Sequence, residues 1–192
     1  FVEVDGSPVA VEKKKYYIML NKPKGIISAS NDNSRETVVD LVPKELFRDG
    51  LFPAGRLDGD TTGFVLITDD GDFAHRILSP KNHIMKTYIA TLKEKLSAET
   101  VAAFNEGVVL GDGTECLKAE VCAIEGEAEN LAQVKICEGK YHQVKRMFAA
   151  TGNRVLELKR VKMGGLYLDP TLNEGECREI TDSELKIIVE GK

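Results

Sequence analysis

A chain of 192 residues, 42% apolar and 30% charged, is long enough to bury a core without staples and too apolar to stay disordered. It corresponds to one compact domain or one domain with a small lobe, has no run of 18 apolar residues to cross a membrane, and opens on FVEVDGSPVAVEKKK, which lacks the apolar core of a secretory signal and an initiator Met. The net charge of −5 argues mildly against a polyanionic partner, but it is unevenly placed: eight Lys/Arg stand against two Glu from Lys135 to Lys162, and nine acids against two bases from Glu94 to Asn130.

In chain order, Lys13-Lys14-Lys15 is a polar junction and YYIML (Tyr16–Leu20) opens the first strand. Asn21-Lys22-Pro23-Lys24-Gly25 breaks it as a basic turn. Val38–Leu41 is a helical turn ending at Pro43, and Leu51–Ala54 is a brief apolar run. Phe64–Thr68 is a strand that stops at Asp69-Asp70-Gly71, and Phe73, Ile77 and Leu78 mark a short helix with one buried face. Met85–Leu92 is a strand. Ser97 caps a helix whose inward stripe is Val101, Phe104 and Val108. Leu117–Ile124, with Leu117, Ala119, Val121 and Ala123 on one face, pairs with Ala132–Ile136 as an antiparallel ladder with one wet face. Tyr141–Thr151 is helical, with Gly152 just past its end. Val155–Val161 and Cys177–Ile180 are strands, and Asp182 caps a last helix carrying Leu185, Ile188 and Val189. Strands outnumber helices, so the expected fold class is α+β: a mainly antiparallel mixed sheet with flanking helices.

The cysteines Cys116, Cys122, Cys137 and Cys177 form no CxxC, and the three histidines are scattered, with His142 isolated. Zinc modules and a disulfide framework are disfavoured, no metal site is expected, and free thiols suit a reducing cytoplasm. Neither a P-loop, a dinucleotide fingerprint nor a GxSxG elbow occurs; a dispersed Ser-His-Asp or Cys-His set stays open.

Chemistry concentrates in two places. Gly55 to Gly63 is a loop between apolar strands holding Arg56, Asp58, Asp60, Thr61 and Thr62. Strands at both ends can hold a carboxylate rigidly at a cleft, although such a loop can equally be a turn whose side chains cap their own backbone. Lys140-Tyr141-His142-Gln143-Val144-Lys145-Arg146 starts a helix with several cationic heads; a solvated helix face is its plain alternative.

The strings NKPKG (21–25), AGRLDGDTTGFVLITDDG (54–71), KTY (86–88), EGKYHQVKRMFAATGNRV (138–155) and LKRVKMGGLYLD (158–169) together resemble the pseudouridine synthases of the RsuA type, in the same order and from about Tyr16 to Leu185. The resemblance implies a cofactor-free isomerase with a central catalytic cleft over residues 16–192. Such an enzyme breaks the uracil–ribose bond of a uridine in RNA, turns the base and rejoins it through carbon. Small-subunit ribosomal RNA, free or in the assembling subunit, is the implied partner of a cytoplasmic monomer with no membrane contact. Carried over by position, Asp58 is the catalytic carboxylate, attacking ribose or base or removing a ribose proton. Tyr88 packs on the target base, Lys145 pairs with Asp58 with Arg146 as second candidate, and Leu158 closes the pocket. Arg56, Lys22, Lys24, Lys86, Lys140, Gln143 and Arg146 are the expected RNA contacts. A flipped base is required because folded RNA hides its uridines. Relatives of this type carry an N-terminal RNA-binding domain of the S4 class; residues 1–15 resemble only its end and linker. Three other readings remain: the same chemistry on large-subunit ribosomal RNA, a non-catalytic RNA-binding or ribosome-assembly module, and a glycoside hydrolase pairing Asp58 with Asp60 or Asp69 across a sugar cleft.

Overall fold

A computed structural model of the chain describes residues 14–191, together with the backbone of Val2–Val4 and Ser7–Val9, which pair antiparallel as β1 and β2. The rest of the expected linker over 1–15 lies outside the described residues. The main elements follow as β3 (Tyr17–Lys22), β4 (Phe52–Ala54), β5 (Thr62–Thr68), α1 (Gly71–Leu78), β6 (Lys86–Leu92), α2 (Ala98–Glu106), β7 (Glu120–Ala123), β8 (Leu131–Ile136), α3 (Gln143–Ala150), β9 (Val155–Met163), β10 (Leu166–Tyr167), β11 (Cys177–Glu179) and α4 (Asp182–Glu190). β3 to β11 make one mixed sheet in the order β11-β3-β5-β9-β6-β8-β7, with β4 on β5 and β10 on β9. All its strand pairs are antiparallel except β5 with β9. The α+β reading holds.

The strands explain their own sequences. β3 and β5 read as near-continuous apolar runs because both faces are covered: Ile18, Leu20, Val65 and Ile67 join the core that holds Phe104 of α2 and Phe148 of α3, while Met19, Phe64 and Leu66 join Phe73 and Ile77 of α1 and Ile188 of α4. Each such residue removed from water stabilises the fold by about 1.5–3 kcal/mol before entropy is counted. β6 and β8 alternate because helices cover one face only: Ala90, Leu92, Ala132 and Val134 are buried, and Ile89, Thr91, Gln133 and Lys135 are partly exposed.

Several boundaries differ from expectation; α2 ends at Glu106, so Val108 joins the core from beyond the helix rather than from its stripe, and three others show their cause. β7 begins at Glu120 rather than Leu117, because the Leu117 amide donates to Glu138 Oε1 (2.8 Å) and the Ala119 amide to the Phe104 carbonyl (2.9 Å), which takes both from the ladder; Leu117 is exposed. α4 is capped by Thr181 rather than Asp182, through a reciprocal capping box with Glu184. α3 begins at Gln143, after His142 takes a left-handed conformation (φ 47°).

Candidate active-site cleft

The one parallel strand pair of this sheet builds the site. β5 meets β9 only at Thr62–Lys159 and Gly63–Arg160. Gly63 has φ 96°, and a Cβ there would strike the Arg160 carbonyl, so glycine lets the strands close at this point. The loop before β5 is thereby set against β9 and β6, whose Leu158 and Tyr88 face it.

The loop is also held from behind. Ser28 Oγ accepts from the Leu57 amide (3.0 Å) and donates to the Leu57 carbonyl (3.1 Å), and the Gly25 amide donates to Gly59 (2.7 Å). Lys22, with none of its surface exposed, donates its ammonium to the carbonyls of Pro23 (3.0 Å), Gly59 (3.3 Å) and Thr61 (2.9 Å). Burial pushes its pKa down to about 8, partly offset by the charges of Asp60 and Asp58.

On the open side, the first turn of α3 delivers two nitrogens to Asp58. Lys145 Nζ donates to Oδ2 at 3.0 Å, and His142 Nε2 stands 3.4 Å from Oδ1. Lys145 also donates to Asp60 Oδ1 at 2.5 Å. Burial opposes the charge on Lys145, yet its hydrogen bonds to Asp60 and Asp58 outweigh this and its pKa is raised. The Asp60 carboxyl is held below its ordinary value, chiefly by the hydrogen bond from Lys145. Around Asp58 a small cleft, partly open to solvent, is lined by Arg56, Tyr88, Ile136, His142, Lys145 and Leu158 among others. The expected central cleft is thus present, and Asp58, Tyr88, Lys145, Leu158 and Arg56 meet in it.

The other expected contacts are differently engaged. Lys22 and Lys86 are buried and cannot reach phosphate; Lys86 donates to the carbonyls of Ile77 (3.0 Å) and Cys137 (3.3 Å), and burial and the neighbouring Arg160 push its pKa to about 8. Gln143 and Lys140 do line the cleft, but both are tied to Glu138: the buried Gln143 donates to Oε1 (2.7 Å) and Lys140 to Oε2 (2.5 Å). Arg146 pairs with Asp112 (2.5 Å) instead of Asp58, which leaves Lys145 as the partner lysine. Lys24 is exposed beside a neighbouring groove that also holds Asp60 and Lys159. The basic stretch from Lys135 to Lys162 is correspondingly less basic than its count: Arg160 is buried, and Lys135, Lys140, Lys145 and Arg146 are ion-paired.

The sequence reading missed His142, treated there as isolated, and the second carboxylate on Lys145. His142 precedes Lys145 by three residues at a helix start, and its left-handed conformation just before α3 brings its ring to the Asp58 side. Asp60 meets half of what a glycoside hydrolase needs, a second carboxyl near the first. Such an enzyme also needs one carboxyl kept protonated, and the ammonium holds Asp60 ionised. Asp69 is farther off, at the opposite end of β5, accepting from the Tyr16 amide (2.9 Å).

Residues 16–150 match the family model described as RNA pseudouridylate synthase. The uncharacterized RNA pseudouridine synthase YtzG of Bacillus subtilis is 47% identical over 98% of this chain and 79% of its own. The ribosomal small subunit pseudouridine synthase A of Escherichia coli is 43% identical over 98% of this chain and 80% of its own. A crystal structure of a pseudouridylate synthase superposes with a TM-score of 0.83 at 42% identity, over 94% of this chain and 76% of that one.

Proposed function

Because the chain belongs to the RNA pseudouridylate synthase family of isomerases, we propose that it converts a uridine of small-subunit ribosomal RNA to pseudouridine, with Asp58 as the reacting carboxylate. The observation that carries this reading is the placement of Asp58 on Lys145 at the floor of a cleft that also presents Tyr88 and Leu158. The choice of small-subunit RNA rests on the named activity of the Escherichia coli relative.

The reaction is a rearrangement. The N1–C1′ bond breaks, the uracil turns, a C5–C1′ bond forms, and the C5 hydrogen leaves as a proton while N1 gains one. Nothing is oxidised or reduced. The protein's part is to hold the extruded base and keep a carboxylate charged beside it. Tyr88 offers the base an aromatic face and Leu158 and Ile136 exclude water, which offsets part of the cost of unstacking. The Lys145 ammonium sets a counter-charge against Asp58, holds the Asp60 carboxyl below its ordinary value, and fixes the rotamers of both through its hydrogen bonds. Arg56, at the mouth, is placed to meet a flanking phosphate.

Asp58→Asn tests this. It is expected to fold, to bind unmodified small-subunit ribosomal RNA within about threefold of the wild type, and to lose at least about 10³-fold in turnover. Tritium release from RNA labelled at uracil C5 measures turnover; undiminished release by the variant rejects the assignment. Release from a large-subunit transcript but not a small-subunit one would reassign the substrate.

A further inference from the structure

The turn entering α3 carries an aromatic pair that isomerisation itself does not use. The rings of Tyr141 and His142 stack with centroids 3.8 Å apart and planes inclined by 18°. His142 holds a left-handed backbone (φ 47°, ψ 35°), which costs energy in any residue with a Cβ. That conformation carries its imidazole to within 3.4 Å of Asp58 Oδ1. The turn is braced: the Lys140 amide donates to Gln143 Oε1 (2.9 Å), the Gln143 amide to the Lys140 carbonyl (3.1 Å), and Arg146 Nη1 to the Tyr141 carbonyl (3.3 Å). Tyr141 nevertheless stays 75% exposed, more than any other large hydrophobic side chain among the described residues. One of its faces is covered by an imidazole whose far edge touches Asp58, and the other is open to water.

We propose that the open face of Tyr141 is a stacking platform for a base of the RNA adjacent to the target uridine, a reading that rests on the pseudouridine synthase assignment above. Extruding one base strips its neighbours of a stacking partner. A rigid aromatic plane one ring away from the reacting carboxylate replaces that partner at the place where the flanking nucleotide must pass. Every base has a π-face, so the platform supplies affinity and register rather than sequence readout. His142 is the positioning residue that joins platform to carboxylate.

The test uses an unmodified small-subunit ribosomal RNA transcript to map the modified uridine, then a synthetic fragment around it with 2-aminopurine on the 5′ or the 3′ side. Binding is measured with the Asp58→Asn chain, which holds the RNA without turning it over. Tyr141 is expected to quench one of the two probes. Tyr141→Ala should abolish that quench and weaken binding by about 5- to 150-fold, whereas Tyr141→Phe should keep the quench and bind within about twofold. Equal thermal stability of the variants excludes a folding defect. If Tyr141→Ala binds and quenches like its parent, the platform is wrong although the enzyme assignment stands. If the chain with Asp58 intact forms no pseudouridine on either ribosomal RNA, the functional reading falls and the platform with it.

Discussion

Two lysines hold the Asp58 loop from opposite sides, and they do different work. Lys22 reaches it from within the fold, with no exposed surface, and donates to three backbone carbonyls. Lys145 reaches it from the cleft and donates to two carboxylates. The environments move their pKa values in opposite directions, down to about 8 by burial for Lys22 and upward for Lys145 through its hydrogen bonds to Asp60 and Asp58. The inner cation fixes the path of the backbone, and the outer one fixes the direction of the side chains and keeps the Asp60 carboxyl below its ordinary value. A basic residue in a motif therefore does not announce its partner; depth in the fold decides whether it meets peptide, carboxylate or phosphate.

The larger break comes from the outer lysine. Lys145→Gln leaves two carboxylates facing each other with no ammonium between them. Turnover is expected to fall by about 10²–10³-fold, the usual size of losing one placed charge at a reacting centre, with stability within about 1 kcal/mol because the pair is partly exposed. The Asp60 carboxyl should titrate higher than in the parent, as followed by NMR. A variant with parental turnover would remove Lys145 from the mechanism.

The inner lysine should show the opposite balance. Lys22→Met strands three carbonyls and frees the loop, so chemical denaturation should report a loss of about 1–3 kcal/mol, and turnover should fall by about tenfold through misplacement of Asp58. Its pH signature differs in kind. Between about pH 8 and the ordinary lysine value, the unfolded chain keeps the Lys22 proton and the folded chain has lost it. The unfolded state then binds more protons, so this group adds stability as pH rises through that window. Turnover should fall over the same window, since a neutral amine has two N–H donors for three carbonyls. Lys86, also at about 8 through burial, contributes the same sign of stability change, so Lys22→Met should remove only part of the rise. A turnover profile unchanged by Lys22→Met would detach Lys22 from the loop's placement.

That contrast also marks what was legible in the sequence. The strands β3, β5, β6 and β8 and the helix α2 could be read from periodicity, because burial on one or two faces leaves its period in the chain. The pairing of Asp58 with Lys145, 87 residues apart, came from motif resemblance alone; no local pattern carries a contact made by the parallel meeting of β5 and β9. The fates of Lys22, Lys86 and Gln143 were illegible for a physical reason. A lysine at a strand end can turn inward or outward, and only the carbonyls waiting at Pro23, Gly59 and Thr61, or at Ile77 and Cys137, settle which. The start of β7 was misplaced because two amides before it are taken by Glu138 and Phe104, partners outside the strand pattern.

The comparison extends to every cation near the cleft. Lysines held by carbonyls and arginines held by carboxylates release few counterions when RNA arrives, because they are already compensated. Arg56, Lys24 and Lys159 carry no ion pair among the described residues and border the cleft or the groove beside it. If about three such groups meet phosphates, the affinity for single-stranded RNA should fall by roughly 20-fold between 50 and 200 mM salt. If all the cations of the motifs reached phosphate, the fall would be several hundredfold over the same range. Filter binding of the Asp58→Asn chain across that salt range separates the two. A steep slope would mean that Arg146 leaves Asp112 and Lys140 leaves Glu138 on binding, so that the pairs seen here are locks opened by RNA. A shallow one means that they hold the cleft's walls in place while affinity comes from stacking.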